Sequence, residues 1–188
     1  MFKPLRGAPF EVCGGHLFAL DDHRRLWVGA IDDSDVKFTP LWKQLTDDLT
    51  NITNFSVAQK GTVFTILIAT IRGEIRAAAF SSTDTPLVWE RVGEGSNFLA
   101  LVSAKLTWAI PREGHLDIFT TGINGRVYTT YWESGVGWET GHDWKIIDPS
   151  GHRFLSKGAG LFALNRVNNQ LEIFTSDSDN KIWKTWWT

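Results

Sequence analysis

The segment "LEIFTSDSDNKIWKTWW" (171–187) lies over "LDIFTTGINGRVYTTYW" (116–132) without a gap. Leu, Ile, Phe and Thr recur at the start, an Asn- or Asp-x-basic step in the middle and Trp at the end. A third copy is "FTILIATIRGEIRAAAF" (64–80), and a fainter fourth is "GHLFALDDHRRLWVGAI" (15–31). The anchors Phe18, Leu67, Phe119 and Phe174 stand 49, 52 and 55 residues apart. Each copy reads as a β-hairpin: a β-rich run, a turn rich in Asp, Asn, Gly or Arg, and a second β-rich run. Both faces of the runs are rather apolar, the pattern of sheets covered on both sides.

Two further markers frame each hairpin. "WKQL" (42–45), "WERV" (89–92) and "WKII" (144–147) follow their anchors by 24, 22 and 25 residues and read as outer strands. "PFEVC" (9–13), "NFSVAQ" (54–59), "KLTWAI" (105–110) and "GLFALN" (160–165) precede the hairpins as first strands. The fourth unit has no outer strand of its own. "FKPL" (2–5) matches "WKQL" and is expected to supply it.

Four-stranded units repeating at about fifty residues predict an all-β β-propeller. The expectation is four blades of four antiparallel strands in a single domain, 1–188. The units run about 9–48, 54–97, 99–148 and 154–188 plus 1–7, so the N-terminal strand closes the last blade. A ring leaves no raw sheet edge. The alternative is a homodimer in which two chains form one larger ring.

Composition narrows the function. Net charge is −2, and no basic cluster points to nucleic acid. The longest apolar run, "TVFTILIAT", is too short to span a bilayer as a helix, so no membrane insertion is expected. Cys13 is the single cysteine, so no internal disulfide can form. The start of the sequence lacks a long apolar run; the expected location is cytoplasmic, with release by a non-classical route as the variant reading. The sequons at Asn51 and Asn54 are then unused. The histidines lack zinc-ligand spacing, and no phosphate-binding or nucleophile motif occurs, so neither metal nor cofactor is expected. The unusual feature is ten Trp beside twelve Phe.

The repeats at 116–147 and 171–187 resemble those of fucose-binding propeller lectins, in particular the bacterial Photorhabdus-type family, whose units run as an "LDVF" strand, a "DN/DG" turn, an "LWHRWW" strand and a "GW…W" ending. Fungal fucose lectins and tectonins share the layout. The resemblance implies a propeller with glycan sites between blades. It covers two units well and two poorly, and "IRAAAF" in the second unit stands where the family has aromatics, which argues against a sugar site there. The known families have six or seven blades; this sequence has four.

Tryptophan suits such a role. The C–H face of a pyranose packs on the indole π face while nearby polar groups bond its hydroxyls. Repeated weak sites on one body gain avidity. Trp27, Trp42, Trp89 and Trp144 recur as framework positions and are expected to pack between blades. Trp132, Trp138, Trp186 and Trp187 sit at strand ends or beside the "ESGVGW" loop and are the candidate stacking residues. Glu133 and Glu139 flank Trp138 as hydroxyl acceptors, and Arg126 and Lys181 share one position after the turn. Asp22, Asn124, Asp177 and Asp179 are expected to bond their own turns. The reading is a glycan-binding lectin for fucose-like or O-methylated sugars, with no enzymatic activity. The rivals are a non-catalytic protein-interaction propeller and, more weakly, a glycosidase, which would need two carboxylates across a pocket.

Overall fold

The computed structural model describes residues 2–31, 41–46, 49–81, 87–93, 98–102, 104–138, 144–147, 160–165, 170–177, 179 and 181–187. Among the described residues fifteen strands fall into four antiparallel sheets in chain order. The first sheet holds β1 (Phe10–Cys13), β2 (His16–Leu20), β3 (Leu26–Ala30) and β4 (Lys43–Gln44). The second holds β5 (Ile52–Lys60), β6 (Val63–Thr70), β7 (Ile75–Phe80) and β8 (Glu90–Arg91). The third holds β9 (Thr107–Ala109), β10 (His115–Thr121), β11 (Val127–Glu133) and β12 (Lys145–Ile146). The fourth holds β13 (Leu161–Asn165), β14 (Leu171–Ser176) and β15 (Ile182–Trp187). This is the order read from the repeats.

The hairpin turn is the same in every copy. Asp21 N–H donates to Arg25 O, Thr70 to Glu74, Gly122 to Arg126 and Asp177 to Lys181, at 2.9–3.0 Å. The fourth residue of the first three turns has a positive φ: Arg24 at 59°, Gly73 at 78°, Gly125 at 77°. Glycine adopts that conformation without steric cost, whereas arginine does not. The first copy compensates with a side-chain cap, in which Asp21 Oδ1 accepts from the N–H groups of His23 and Arg25. Asp177 does the same for Asp179 and Lys181, and Asn124 for Arg126, as expected of turn Asp and Asn.

Period-two alternation puts every second residue on one seam. Phe18, Leu20, Leu26 and Val28 of the first sheet meet Phe55, Phe64, Ile66, Ile68 and Phe80 of the second. The opposite face of the second sheet, with Leu67, Ala69, Ile75 and Ala77, meets Leu106, Ile118 and Trp144. Phe119 and Val127 then meet Leu161, Leu171 and Ile173. Three seams therefore hold four sheets. Burial of each large apolar side chain stabilises the fold by about 1.5–3 kcal/mol.

A short strap leads into each of the first three sheets. Asp22 N–H donates to Lys3 O, Ile71 to Asn51 O and Ile123 to Leu99 O. The strap also reaches back to the preceding sheet: Ile52 N–H donates to Arg24 O at 3.2 Å and Ala100 N–H to Gly73 O at 2.8 Å.

This corrects the closure expected from sequence. "FKPL" is the strap of the first sheet and not the outer strand of the fourth. Leu5 N–H donates to Leu20 O, and Pro4 bridges Asp21. Phe2 does not replace a marker tryptophan; it stacks on one, Trp42, at 4.0 Å, and tilts against Trp27 at 5.5 Å. Among the described residues the fourth sheet has three strands. Nor do the outer faces of the first and fourth sheets cover each other among the described residues: Phe10 on the first is 70% exposed, and Trp186 on the fourth is 69% exposed.

Candidate functional site

The second seam is closed at one end and open at the other. At the open end a cleft of about 990 Å³ lies between the second and third sheets. Its geometry follows from side-chain size. At the matching level of the first seam, Phe64 stacks on Phe80 with centroids 5.2 Å apart, and His16 meets the Phe64 ring edge-on at 5.1 Å. The other face of the same two strands carries Thr65, Ala77 and Ala79. None of these three side chains reaches across, and with Ala58 and Val63 they line a cleft.

The opposite wall comes from β11 and the loop after it. Trp132, paired with Leu116, faces the cleft. The chain then turns back on itself: Gly137 N–H donates to Glu133 O at 2.8 Å, with Gly135 and Gly137 both at positive φ. This returns Trp138 to the same wall, half-buried against the seam core. Two indoles thus face a wall of alanines. At the mouth, Lys60 Nζ lies 3.8 Å from a Glu113 carboxylate oxygen, both well exposed. Glu90 and Ser134 add further polar groups.

The eight candidate residues do not form one site. Trp132 and Trp138 come together in this cleft. Glu133 lies on the opposite face of β11, where its carboxylate takes a bond from Arg112 at 3.3 Å. That face also carries His115, stacked on Tyr131 at 4.8 Å and 3.3 Å from Asp117. Burial pushes the Asp117 carboxyl up, against the opposing pull of His115 and Arg112. Trp186 stands on the outer face of the fourth sheet beside Lys184, whose ammonium lies 5.6 Å from the ring centroid. Trp187 pairs with Leu171 in β15. Arg126 and Lys181 sit at the hairpin turns, at the other end of the sheets from the cleft. Glu139 lies outside the described residues.

Sequence reasoning discounted the second unit because "IRAAAF" lacks aromatics. In the structure Ala77 and Ala79 leave the room that Trp132 and Trp138 border. A search for small residues opposite a tryptophan pair would have found it. Two of the four framework tryptophans pack between sheets as expected: Trp144 is 9% exposed and stacks on Phe98 at 4.3 Å, and Trp89 packs on the first seam, as Trp183 does on the third. Trp27 instead lies on the outer face of the first sheet, where it and Trp42 meet Phe2. Asp21, Asp22 and His23 hold donor atoms within 4.8 Å of one another. Both Asp21 oxygens are already engaged, by Arg25, His23 and Trp27, so the cluster is a hydrogen-bonded turn.

The fold is shared with known carbohydrate-active proteins. The BP39L lectin from Burkholderia pseudomallei matches with a TM-score of 0.62 at 14% identity, over 92% of this chain and 48% of that one. The fucose-specific lectin from Aleuria aurantia matches at 0.54 and 12% identity, over 100% of this chain and 62% of that one. An α-L-arabinofuranosidase from Podospora anserina, solved with cellotriose, matches at 0.54 and 12% identity, over 96% and 62%. The chain thus spans less than two thirds of the length of each. No protein family matches the sequence, and no curated protein matches it. At these identities the likeness establishes an all-β arrangement of the kind found in these lectins.

Proposed function

We propose that the protein is a carbohydrate-binding lectin whose ligand enters the cleft between the second and third sheets. The observation that carries the reading is the pairing of two half-exposed indoles, Trp132 and Trp138, with an alanine wall. A pyranose is flat enough to stand in such a slot with its C–H face on an indole. The apolar wall of Ala58, Val63, Ala77 and Ala79 favours a sugar that carries a methyl group, either the C-methyl of a fucose-like sugar or an O-methyl. Lys60, Glu113 and Ser134 at the rim supply bonds to hydroxyls. Lectins among the structures of similar fold support the reading.

A glycan array with deoxy and O-methylated sugars tests it, followed by titration of tryptophan fluorescence. Binding that is lost in Trp132→Ala is the expected result. No response to any sugar at millimolar concentration would sink it. Because arabinofuranosidases share the fold, chromogenic glycosides belong in the same experiment. Turnover would replace a binding protein with an enzyme.

A further inference from the structure

The repeat shows what should cover the fourth sheet. Phe18, Leu67, Phe119 and Phe174 hold one position in the four hairpins, each on the face turned toward the next sheet. The first three are 0%, 1% and 0% exposed because the next sheet packs over them. Phe174 is only half-buried, and around it Phe162, Leu164, Ile182 and Trp186 are exposed. An ion pair on this face, Lys184 with Glu172 at 3.2 Å, is neutral as a unit. The reverse holds for the first sheet. Its outer face carries Phe10, Val12 and Leu17, with Ala19 and Trp27. Ile66, Ile118 and Ile173, which match Leu17 in the other sheets, are at most 1% exposed under the preceding sheet.

We propose that the outer face of the fourth sheet docks on the outer face of the first sheet of a second copy, so that two chains close one eight-sheet ring through two equivalent seams. The two faces are the two halves of a seam this chain already makes three times. Their simultaneous exposure shows that they do not meet within one chain. Aromatic side chains offer about 150–250 Å² each. Three aromatic and two aliphatic residues on the fourth sheet therefore bring up to roughly 600–800 Å² to a seam. A specific interface needs about 800 Å² per partner, and a two-seam dimer doubles the area. The symmetry is a closed two-fold, so no filament results.

One detail sets this seam apart. The strap residue that donates its N–H to the preceding turn is Ile52 in the second sheet and Ala100 in the third. The matching residue of the first sheet is Pro4, which has no N–H to give. The seam between copies therefore lacks a backbone bond that the first and second seams possess, and it is the one that opens on dilution.

Light scattering of the full chain over a range of concentrations tests the proposal. The expected mass is twice 21.2 kDa. Phe10→Asp and Trp186→Asp should each yield monomers with unchanged far-UV circular dichroism, and an equimolar mixture of the two should recover a dimer through one intact seam. Val12→Lys and Ile182→Lys serve as second variants should either aspartate variant misfold. Pro4→Ala restores the N–H and should tighten the dimer by about two- to tenfold. A monomer at all concentrations overturns the proposal. So does a dimer lost with Trp186→Asp but kept with Phe10→Asp, which would mean that two fourth sheets meet. A monomer whose Trp186 fluorescence responds to a sugar would assign that face to a ligand instead. None of these outcomes depends on sugar binding in the cleft.

Discussion

The indole N–H of Trp183 donates to Asp177 Oδ2 at 2.6 Å, and that of Trp27 donates to Asp21 Oδ2 at 3.0 Å. In both copies the other carboxylate oxygen caps the hairpin turn. One aspartate thus ties the turn to the tryptophan at the second position of the following strand. The second and third copies have Thr70 and Gly122 at the aspartate position, with Arg76 and Tyr128 at the tryptophan position. There Asn124 takes over part of the role, bonding both Arg126 N–H and the Tyr128 hydroxyl.

Loss of this tie should be costly in the first sheet. Asp21 is buried, and its oxygens also take bonds from the Arg25 side chain at 2.7 and 2.6 Å. Asp21→Ala leaves several donors without partners and should destabilise the protein by about 1–3 kcal/mol. The pH dependence has a defined sign. Burial pushes the Asp21 carboxyl up, but the bonds from Arg25 and Trp27 together outweigh it and leave its pKa lowered. A lowered folded pKa contributes stability above the ordinary carboxylate range, and that stability is lost as pH falls through the folded value. The gap in unfolding free energy between the natural protein and Asp21→Asn should therefore be full at neutral pH and shrink below about pH 4. A gap that stays constant down to pH 2 would contradict the ion-pair account.

The cleft makes a prediction that an exposed-indole site would not. Ala79 lies on the cleft wall and is exposed, so Ala79→Phe can fill the space as Phe80 fills the other face. Ligand binding should fall at least tenfold while the melting temperature stays within a few degrees or rises. Trp132→Ala should lose binding by removing a wall. If both substitutions leave affinity unchanged, the ligand sits elsewhere.

The sequence carried the strand order and the hairpin turns because both are local. Alternation and the Asp–Asn–Gly turn residues act within a few positions of one another. "FKPL" reads as an outer strand because strap and outer strand share a short motif, an aromatic residue followed by Lys and then, two positions on, Leu. Phe2 and Trp42 are partners in one stack rather than versions of one residue. The candidate list scattered for a similar reason. It ranked aromatic and charged residues, whereas the cleft exists through what Ala77 and Ala79 lack. Glu133 is close to Trp138 in sequence, but it follows Trp132 on the strand and so points to the face opposite the cleft.

Glu11 offers a second pH signature of opposite sign. Its carboxylate crosses the first seam to accept the N–H of Val57 at 2.5 Å. Burial raises its pKa, more than the Val57 and Ser56 bonds lower it. A raised carboxyl pKa favours the protonated form in the folded state. Its contribution is complete below the unfolded value, about 4.3, and is lost as pH rises through the folded value. Glu11→Gln keeps an oxygen that can accept from Val57 and removes the charge. The variant should gain stability relative to the natural protein between about pH 4 and pH 7, read by chemical denaturation at each pH.

Gly73 is the point where the second and third sheets are tied by backbone. Its carbonyl accepts the Ala100 N–H at 2.8 Å while its φ is 78°. A Cβ placed there would meet the Ala100 carbonyl oxygen at 2.8 Å and Leu99 Cβ at 3.1 Å. Both the conformation and the contact oppose any side chain. Gly73→Ala should cost about 1–3 kcal/mol, more than an exposed turn glycine such as Gly61, where a Cβ meets nothing within 4 Å. The comparison isolates the contact, because both glycines have positive φ. Equal losses at the two positions would mean that backbone strain alone matters and that the strap adds nothing to holding the sheets together.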